Sequence, residues 1–209
     1  MIEIFRQCLL DESPQIANTL ACPSCNTSVA MASVSAQQLQ VLTKYHNEGG
    51  IQADLDILPL IKEEAYLDAN PAARPARAFI TMCGEGDVGG IVELLKAIDD
   101  DPDEEDMPTT ALLRYQDPLD GMKTGLHIAI EKSQQESVWL LLWLASGLPT
   151  ASFPDEVLQA TGAIGAGRET AQGPDIRSLR DEQNRTARDV AGTMGHQWAD
   201  LLAIGVLIE

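Results

Sequence analysis

Residues 124–145 place the strongest constraint on what this chain can fold into. Thr124-Gly-Leu-His-Ile-Ala129 is followed by Ser133 and then by the run Val138-Trp-Leu-Leu-Leu-Trp-Leu144. Val138, Leu141, Leu142 and Ala145 recur at helical spacing. Trp139 and Trp143, one turn apart, extend the apolar surface beyond a single stripe. A helix that is apolar on all sides must be covered by neighbours on both of them. Aromatic residues make up only 4% of the chain against 44% apolar residues in all, so small aliphatic side chains must do most of the packing, as in stacked helix pairs. A length of 209 residues suits one domain with an appended segment.

The T-x-L-H-x-A start, short helix, turn and V-x-x-L-L helix together resemble one ankyrin repeat. Asp181-Glu-Gln-Asn-Arg-Thr-Ala-Arg-Asp-Val-Ala191, with Gly195-His196 and Leu201-Leu202, is similar to the closing repeat of that family. Asn184 there stands for a glycine and tolerates positive φ; Asp189 takes the histidine position, and the leucine pair arrives two residues early. A third copy spans Ala73–Ile98, with a first helix over Ala76–Cys83, a turn over Gly84–Val88 and a second helix around Ile91–Leu95. Arg77 stands where its threonine would be. In the central copy Gly125 replaces a proline and Ser133 a glycine.

The resemblance implies an all-α fold, an ankyrin-repeat helical solenoid in residues 73–209. Its repeats would cover about 73–98, 117–147 and 181–207, with insertions about 99–116 and 148–180. It also implies that Thr124 and His127 tie the turn to the first helix, a framework role rather than a catalytic one. The steps from Gly86 to Ser133 and from Ser133 to Gly195 both exceed the family period of about 33 residues, so the insertions must leave the stack as loops.

Residues 1–72 show no repeat and are expected to form a helical extension that caps the first repeat, since a bare solenoid end would expose its core. Ser13-Pro14 could start a helix carrying Ile16 and Leu20. Ser35-Ala-Gln-Gln38 has capping-box spacing and places Leu39, Leu42 and Tyr45 on one stripe, ended by Asn47-Glu-Gly-Gly50. A third helix is expected from Pro59 to about Leu67, with Leu60, Ile61 and Tyr66 apolar.

The first insertion holds Asp99-Asp-Asp-Pro-Asp-Glu-Glu-Asp106, seven acids in eight residues, which repulsion keeps extended and wet. It lacks the ligand spacing of an EF-hand. Thr109–Tyr115 is expected to form a helical turn or two that returns Leu112 and Leu113 to the core. The second insertion offers a helix near Ser152–Glu156 that carries Val157, Leu158 and Ile164. In the glycine-rich run that follows, Gly162 and Gly167 have phosphate-loop spacing, but Arg168 and Glu169 replace the lysine and hydroxyl residue, and no strand precedes them.

A net charge of −18 opposes binding to nucleic acid or to anionic membrane surfaces. It suits a basic protein partner, and it is also what plain solubility requires. The N-terminus carries an early acid and no basic region, unlike a signal peptide, and the run Val138–Ala145 is far shorter than the roughly 20 residues of a membrane span. Four cysteines (Cys8, Cys22, Cys25, Cys83) without a secretory signal suggest reduced thiols in the cytoplasm or nucleus. Cys22-Pro-Ser-Cys25 has zinc or redox spacing, but a tetrahedral site needs four ligands, for which Cys8, Cys83 and His46 are the available recruits.

No nucleophile occupies a recognised catalytic motif, and no catalytic, cofactor-binding or metal residue is assigned. The expected function is therefore protein recognition through turn tips near Leu119–Lys123 and Arg180–Arg185 and the acidic loop. The candidate contact residues are Asp99, Asp100, Asp101, Asp103, Glu104, Glu105, Asp106, Asp120, Met122, Lys123, Arg180 and Arg185. The alternatives are an acidic chaperone for a basic client such as a ribosomal protein, and a zinc- or thiol-dependent factor using Cys22 and Cys25.

Overall fold

The computed structural model describes residues 19–22, 25–28, 30–32, 39–100, 107–168 and 173–209. The chain divides into two compact units, 1–71 and 72–209. The Ser13–Ile16 helix start and the Ser35–Gln38 capping box lie outside the described residues.

Unit 1 is built on strands. β1 (Met31–Ala32) pairs antiparallel with β2 (Leu39–Gln40), and β3 (Leu42–Asn47) with β4 (Gly50–Asp56). Asn47 pairs with Gly50, so the two-residue loop Glu48-Gly49 closes a hairpin where a helix end was expected. Lys44 faces two residues of β4, and Asp54 takes a left-handed φ of +57° at this bulge. The inner end of the hairpin is tied to the helix that follows. Asp56 Oδ1 accepts from the backbone N–H groups of Val41 (3.0 Å) and Leu58 (3.1 Å). That helix, α1 (Leu58–Ala69), starts with Pro59 in its first turn, where no N–H is needed. Val41, Leu58 and Ile61 form the small core, with Leu20, Ala30 and Ile57 packed against it.

Unit 2 is mostly helical. α2 (Arg74–Glu85) buries Ala76, Phe79, Ile80 and Cys83, and α3 (Val88–Asp100) buries Ile91, Val92, Leu95 and Ile98. Gly86 at φ +82° closes α2, and Asp87 opens α3 by accepting from Gly90 N–H at 2.8 Å. A short α4 (Thr109–Leu112) places Leu112 and Leu113 fully inside. β5 (Gln116–Asp117) and β6 (Lys123–Thr124) form a third two-stranded sheet leading into α5 (Gly125–Glu131). Ser133 turns the chain at φ +66° into α6 (Gln135–Ala145). α7 (Asp155–Ile164) follows, then α8 (Ala187–Thr193), a 3-10 turn over Gly195–Trp198 and α9 (Ala199–Ala203).

The three positions aligned from the sequence, Gly86, Ser133 and Gly195, share the left-handed conformation. α2 packs on α5 and α5 on α8, while α6 is covered by α3, α5 and α7. That cover meets the demand of the apolar run, since Val138–Leu142, Leu144 and Ala145 are all buried. Trp198 is buried too, and its indole N–H donates to Ile130 O at 3.2 Å, satisfying a carbonyl in the last turn of α5.

The fold class therefore corrects the expectation of an all-α solenoid with a helical extension. Among the described residues three two-stranded antiparallel sheets accompany the helices, and unit 1 holds two of these strand pairs and one helix where only helices were expected. The reason lies in Leu39–Asp56. Residues rich in β-formers flank a Glu-Gly-Gly turn on both sides, and pairing across the turn satisfies backbone groups that a single capped helix would have satisfied internally.

A close approach explains Gly125. A Cβ there would lie 2.7 Å from Cys83 Sγ and 3.0 Å from Phe79 Cε1, so neither alanine nor the proline of the family pattern has room. Gly125→Ala is expected to lower unfolding free energy by about 1–3 kcal/mol in urea titration. Adding Cys83→Ala should recover part of that loss; no recovery would mean that this contact is not the source.

Candidate functional site

Two turn fingers, residues 116–124 and 180–186, stand side by side and form the candidate site. In the first, Gln116 pairs with Thr124 and Asp117 with Lys123, and Gly121 and Met122 have φ of +60° and +58°. Asp117 O accepts from Met122 N–H at 2.8 Å, while its buried carboxylate accepts from Leu119 N–H at 2.9 Å and pairs with Arg77. The second finger uses the same device. Asp181 O accepts from Asn184 N–H, and its carboxylate accepts from the N–H groups of Gln183 and Arg185, each at 2.9 Å. Asn184 sits at φ +61°. Burial works against the Asp181 charge, but Arg185, whose Nε donates to Oδ2 at 2.8 Å, prevails and holds this carboxyl below the usual range.

Each finger ends in a capping box. Thr124 Oγ1 accepts from His127 N–H, and the His127 ring returns a bond to the Thr124 backbone. Thr186 and Asp189 repeat the arrangement, with Thr186 N–H and hydroxyl both donating to Asp189 Oδ2 at 2.8 Å. Those two bonds, the backbone one foremost, hold the Asp189 carboxyl low. The slot thus accepts either a neutral ring or a carboxylate.

Three hydrogen bonds join the fingers laterally. Gln116 Nε2 donates to Arg180 O at 2.6 Å as well as to Met122 O at 3.0 Å. Glu182 N–H donates to Gly121 O at 2.8 Å. His127 Nε2 reaches Arg185 O at 3.1 Å. That last bond needs a proton on Nε2, which leaves Nδ1 to accept from the Thr124 hydroxyl (2.7 Å) and backbone N–H (3.3 Å). Burial pushes the imidazole pKa down, against the Arg185 bond and the nearby carboxylates of Asp181 and Glu131. His127 is neutral and structural.

Among the expected contact residues, Asp120, Met122 and Arg180 are exposed on the fingers. Lys123 is turned inward. Its Nζ lies 2.9 Å from Asp120 and 2.8 Å from Glu131; burial disfavours its charge, yet these hydrogen bonds raise its pKa. Arg185 is half-buried on Asp181. Asp99 accepts from Thr109 Oγ1 at 3.0 Å, and Asp100 is exposed at the end of α3. Asp101, Asp103, Glu104, Glu105 and Asp106 lie outside the described residues. Leu119 is 37% exposed beside Met122 at 39%, at the tip expected over Leu119–Lys123, although Leu119 itself was not among the expected contact residues. Its signal was Asp117-Pro-x-x-Gly121, a turn that leaves its middle residues outside.

Arg168 caps a helix. Its guanidinium donates to Trp143 O (3.1 Å), Ser146 O (3.0 Å) and Leu148 O (2.7 Å) at the C-terminal end of α6, and lies over the Trp143 ring at 4.8 Å. In unit 1, Cys22 is half-buried and Cys25 exposed, both as free thiols. Thr27, first through its hydroxyl, holds the Cys25 thiol below its ordinary pKa. Cys83 is buried in the core, which pushes its thiol well up. Among the described residues no group of three or more His, Cys, Asp or Glu side chains is placed to hold a metal ion, and no helix is long and apolar enough to cross a membrane.

Comparison of the chain with family models, curated proteins and solved structures finds no match.

The neutral His127 sets a pH dependence. Its folded pKa lies below the ordinary imidazole value near 6.5, so its contribution is complete above that value and is lost as pH falls towards the folded pKa. His127→Ala leaves Thr124 and Arg185 without buried partners and should cost about 1–3 kcal/mol at neutral pH. The gap between wild type and variant, read by urea unfolding, should narrow towards about pH 5. A gap that widens there would show a charged imidazole.

Proposed function

We propose that unit 2 is a protein-recognition module that reads its partner with the two fingers, in the manner of ankyrin repeats, and that the chain acts as an adaptor rather than an enzyme. The observation carrying this reading is the rigid pairing of the fingers. Their backbones are joined to each other and to buried caps, so Leu119 and Met122 are presented at fixed positions among Asp120, Arg180 and Glu182. Exposed apolar side chains on a preorganised backbone, rimmed by charges of both signs, suit a protein surface, because binding then orders little more than the side chains. The resemblance of Thr124–Ala129 and Asp181–Ala191 to ankyrin repeats supports the same use of the tips.

A second reading rests on charge. A chain at −18 with an acidic run over Asp99–Asp106 would attract a basic client and act as its chaperone. The two readings place contact in different parts of the chain and respond differently to salt, which screens charge to a Debye length of about 3 Å at 1 M.

Leu119→Glu with Met122→Glu should abolish retention of specific partners in affinity capture followed by mass spectrometry, while stability stays within about 0.5 kcal/mol of wild type because both residues are exposed. Partners retained by that variant but lost when Asp99–Asp106 are neutralised, and released by added salt, would overturn the finger reading and favour the chaperone. Retention unaffected by either change would remove both.

A further inference from the structure

The two fingers present more carboxylate than their own cations engage. Lys123 Nζ lies between Asp120 (2.9 Å) and Glu131 (2.8 Å), Arg185 holds Asp181 at 2.6 Å, and Arg77 pairs with the buried Asp117. Arg180 turns to its own finger and donates through Nη1 to Asn184 O at 2.8 Å. Glu182 is left over. It is exposed, and among the described residues it forms no ion pair. Its place is fixed all the same. Glu182 N–H donates to Gly121 O at 2.8 Å, and a Cβ on Gly121 would meet Glu182 Oε2 at 3.5 Å and Cβ at 4.0 Å. The first finger carries no side chain at that point, where Gly121 takes its left-handed φ of +60°. The unmatched carboxylate therefore lies against the middle of the turn that displays Leu119 and Met122.

An apolar pair beside an unmatched carboxylate discriminates among partners. Apolar surface alone, laid over Leu119 and Met122, would strip water from Glu182 without replacing it. An acidic segment would add repulsion, from Glu182 locally and from a chain of net charge −18 as a whole. A basic side chain replaces the lost hydration with a charge-assisted hydrogen bond. The aliphatic stem of lysine or arginine covers apolar surface at the same time. Arginine is the better fit of the two, because its planar fork matches a carboxylate and its charge is more weakly hydrated.

We propose that the fingers bind a segment of a partner protein in which an arginine or lysine stands beside an apolar residue, the cation on Glu182 and the apolar side chain over Leu119 and Met122. This rests on the finger reading above and adds to it the charge and composition of the segment that is read. Glu182 is the selecting residue, and the apolar pair supplies area.

The test selects random peptides displayed on phage against the immobilised full chain, in parallel with its Glu182→Lys and Glu182→Gln variants and with Leu119→Glu, Met122→Glu. Both Glu182 variants keep the backbone bond to Gly121 and should leave urea unfolding unchanged. Wild type should enrich peptides with a basic residue beside an apolar one. Glu182→Lys should exchange that basic position for an acidic one, and Glu182→Gln should weaken the wild-type peptides about tenfold. The Leu119, Met122 variant should retain none of them. A consensus without a basic position, or a basic position unchanged in Glu182→Lys, would overturn this inference and leave the finger reading standing if Leu119 and Met122 are still required. Peptides indifferent to Leu119 and Met122, or no enrichment on wild type, would remove the finger reading and this inference with it.

Discussion

One buried imidazole holds the two fingers of unit 2 in register. His127 accepts from Thr124 at one ring nitrogen and donates to the Arg185 carbonyl at the other, so a single side chain caps α5 and ties one finger to the next. The arrangement works only for a neutral ring with its proton on Nε2, and burial enforces that state. Around it, Gln116 and the Gly121–Glu182 backbone bond fix the same two fingers at other points. The lateral bonds of the fingers go to backbone carbonyls. They constrain the path of the chain while leaving the side chains at the tips free to differ.

The capping slot of α8 shows how the requirement changes with place. Asp189 occupies the position of His127 and makes the same reciprocal bonds to its threonine, but it is exposed. A carboxylate is favoured there by the positive end of the helix and costs little to hydrate. In the buried slot a carboxylate could cap Thr124, but it could not donate to Arg185, and its charge would have to be desolvated. The donor on the far side of the ring therefore explains why a histidine stands in the interior position.

How much of this was legible follows from the range of each interaction. The left-handed positions Gly86, Ser133 and Gly195 and the threonine caps are local, and the sequence displayed them. The β3–β4 hairpin was misread because Leu39, Leu42 and Tyr45 satisfy helical spacing in a short window, and only pairing across Glu48-Gly49 decides between the two. Lys123 and Arg185 looked like free tip charges, although Glu131 and Asp181 engage them. Arg77 and Asp117 lie 40 residues apart, beyond any local pattern. Arg168 was harder still, since its acceptors are backbone carbonyls, which carry no residue signature. Its place in the glycine-rich run gave no sign of this capping role.

Charge bears on what could meet the fingers. At a net charge of −18 copies of this chain repel one another, so a partner at the fingers would be one of different charge. The tip is suited to such a partner because Lys123 and Arg185 are neutralised within the fold, while Asp120 and Arg180 remain outside with Leu119 and Met122. Burying a tip that still carried unpaired inner charges would cost more than its two apolar side chains return. With those charges already paired, contact needs to desolvate only the rim. The internal ion pairs therefore shape the fingers and, on the proposed reading, would also lower the cost of a contact there.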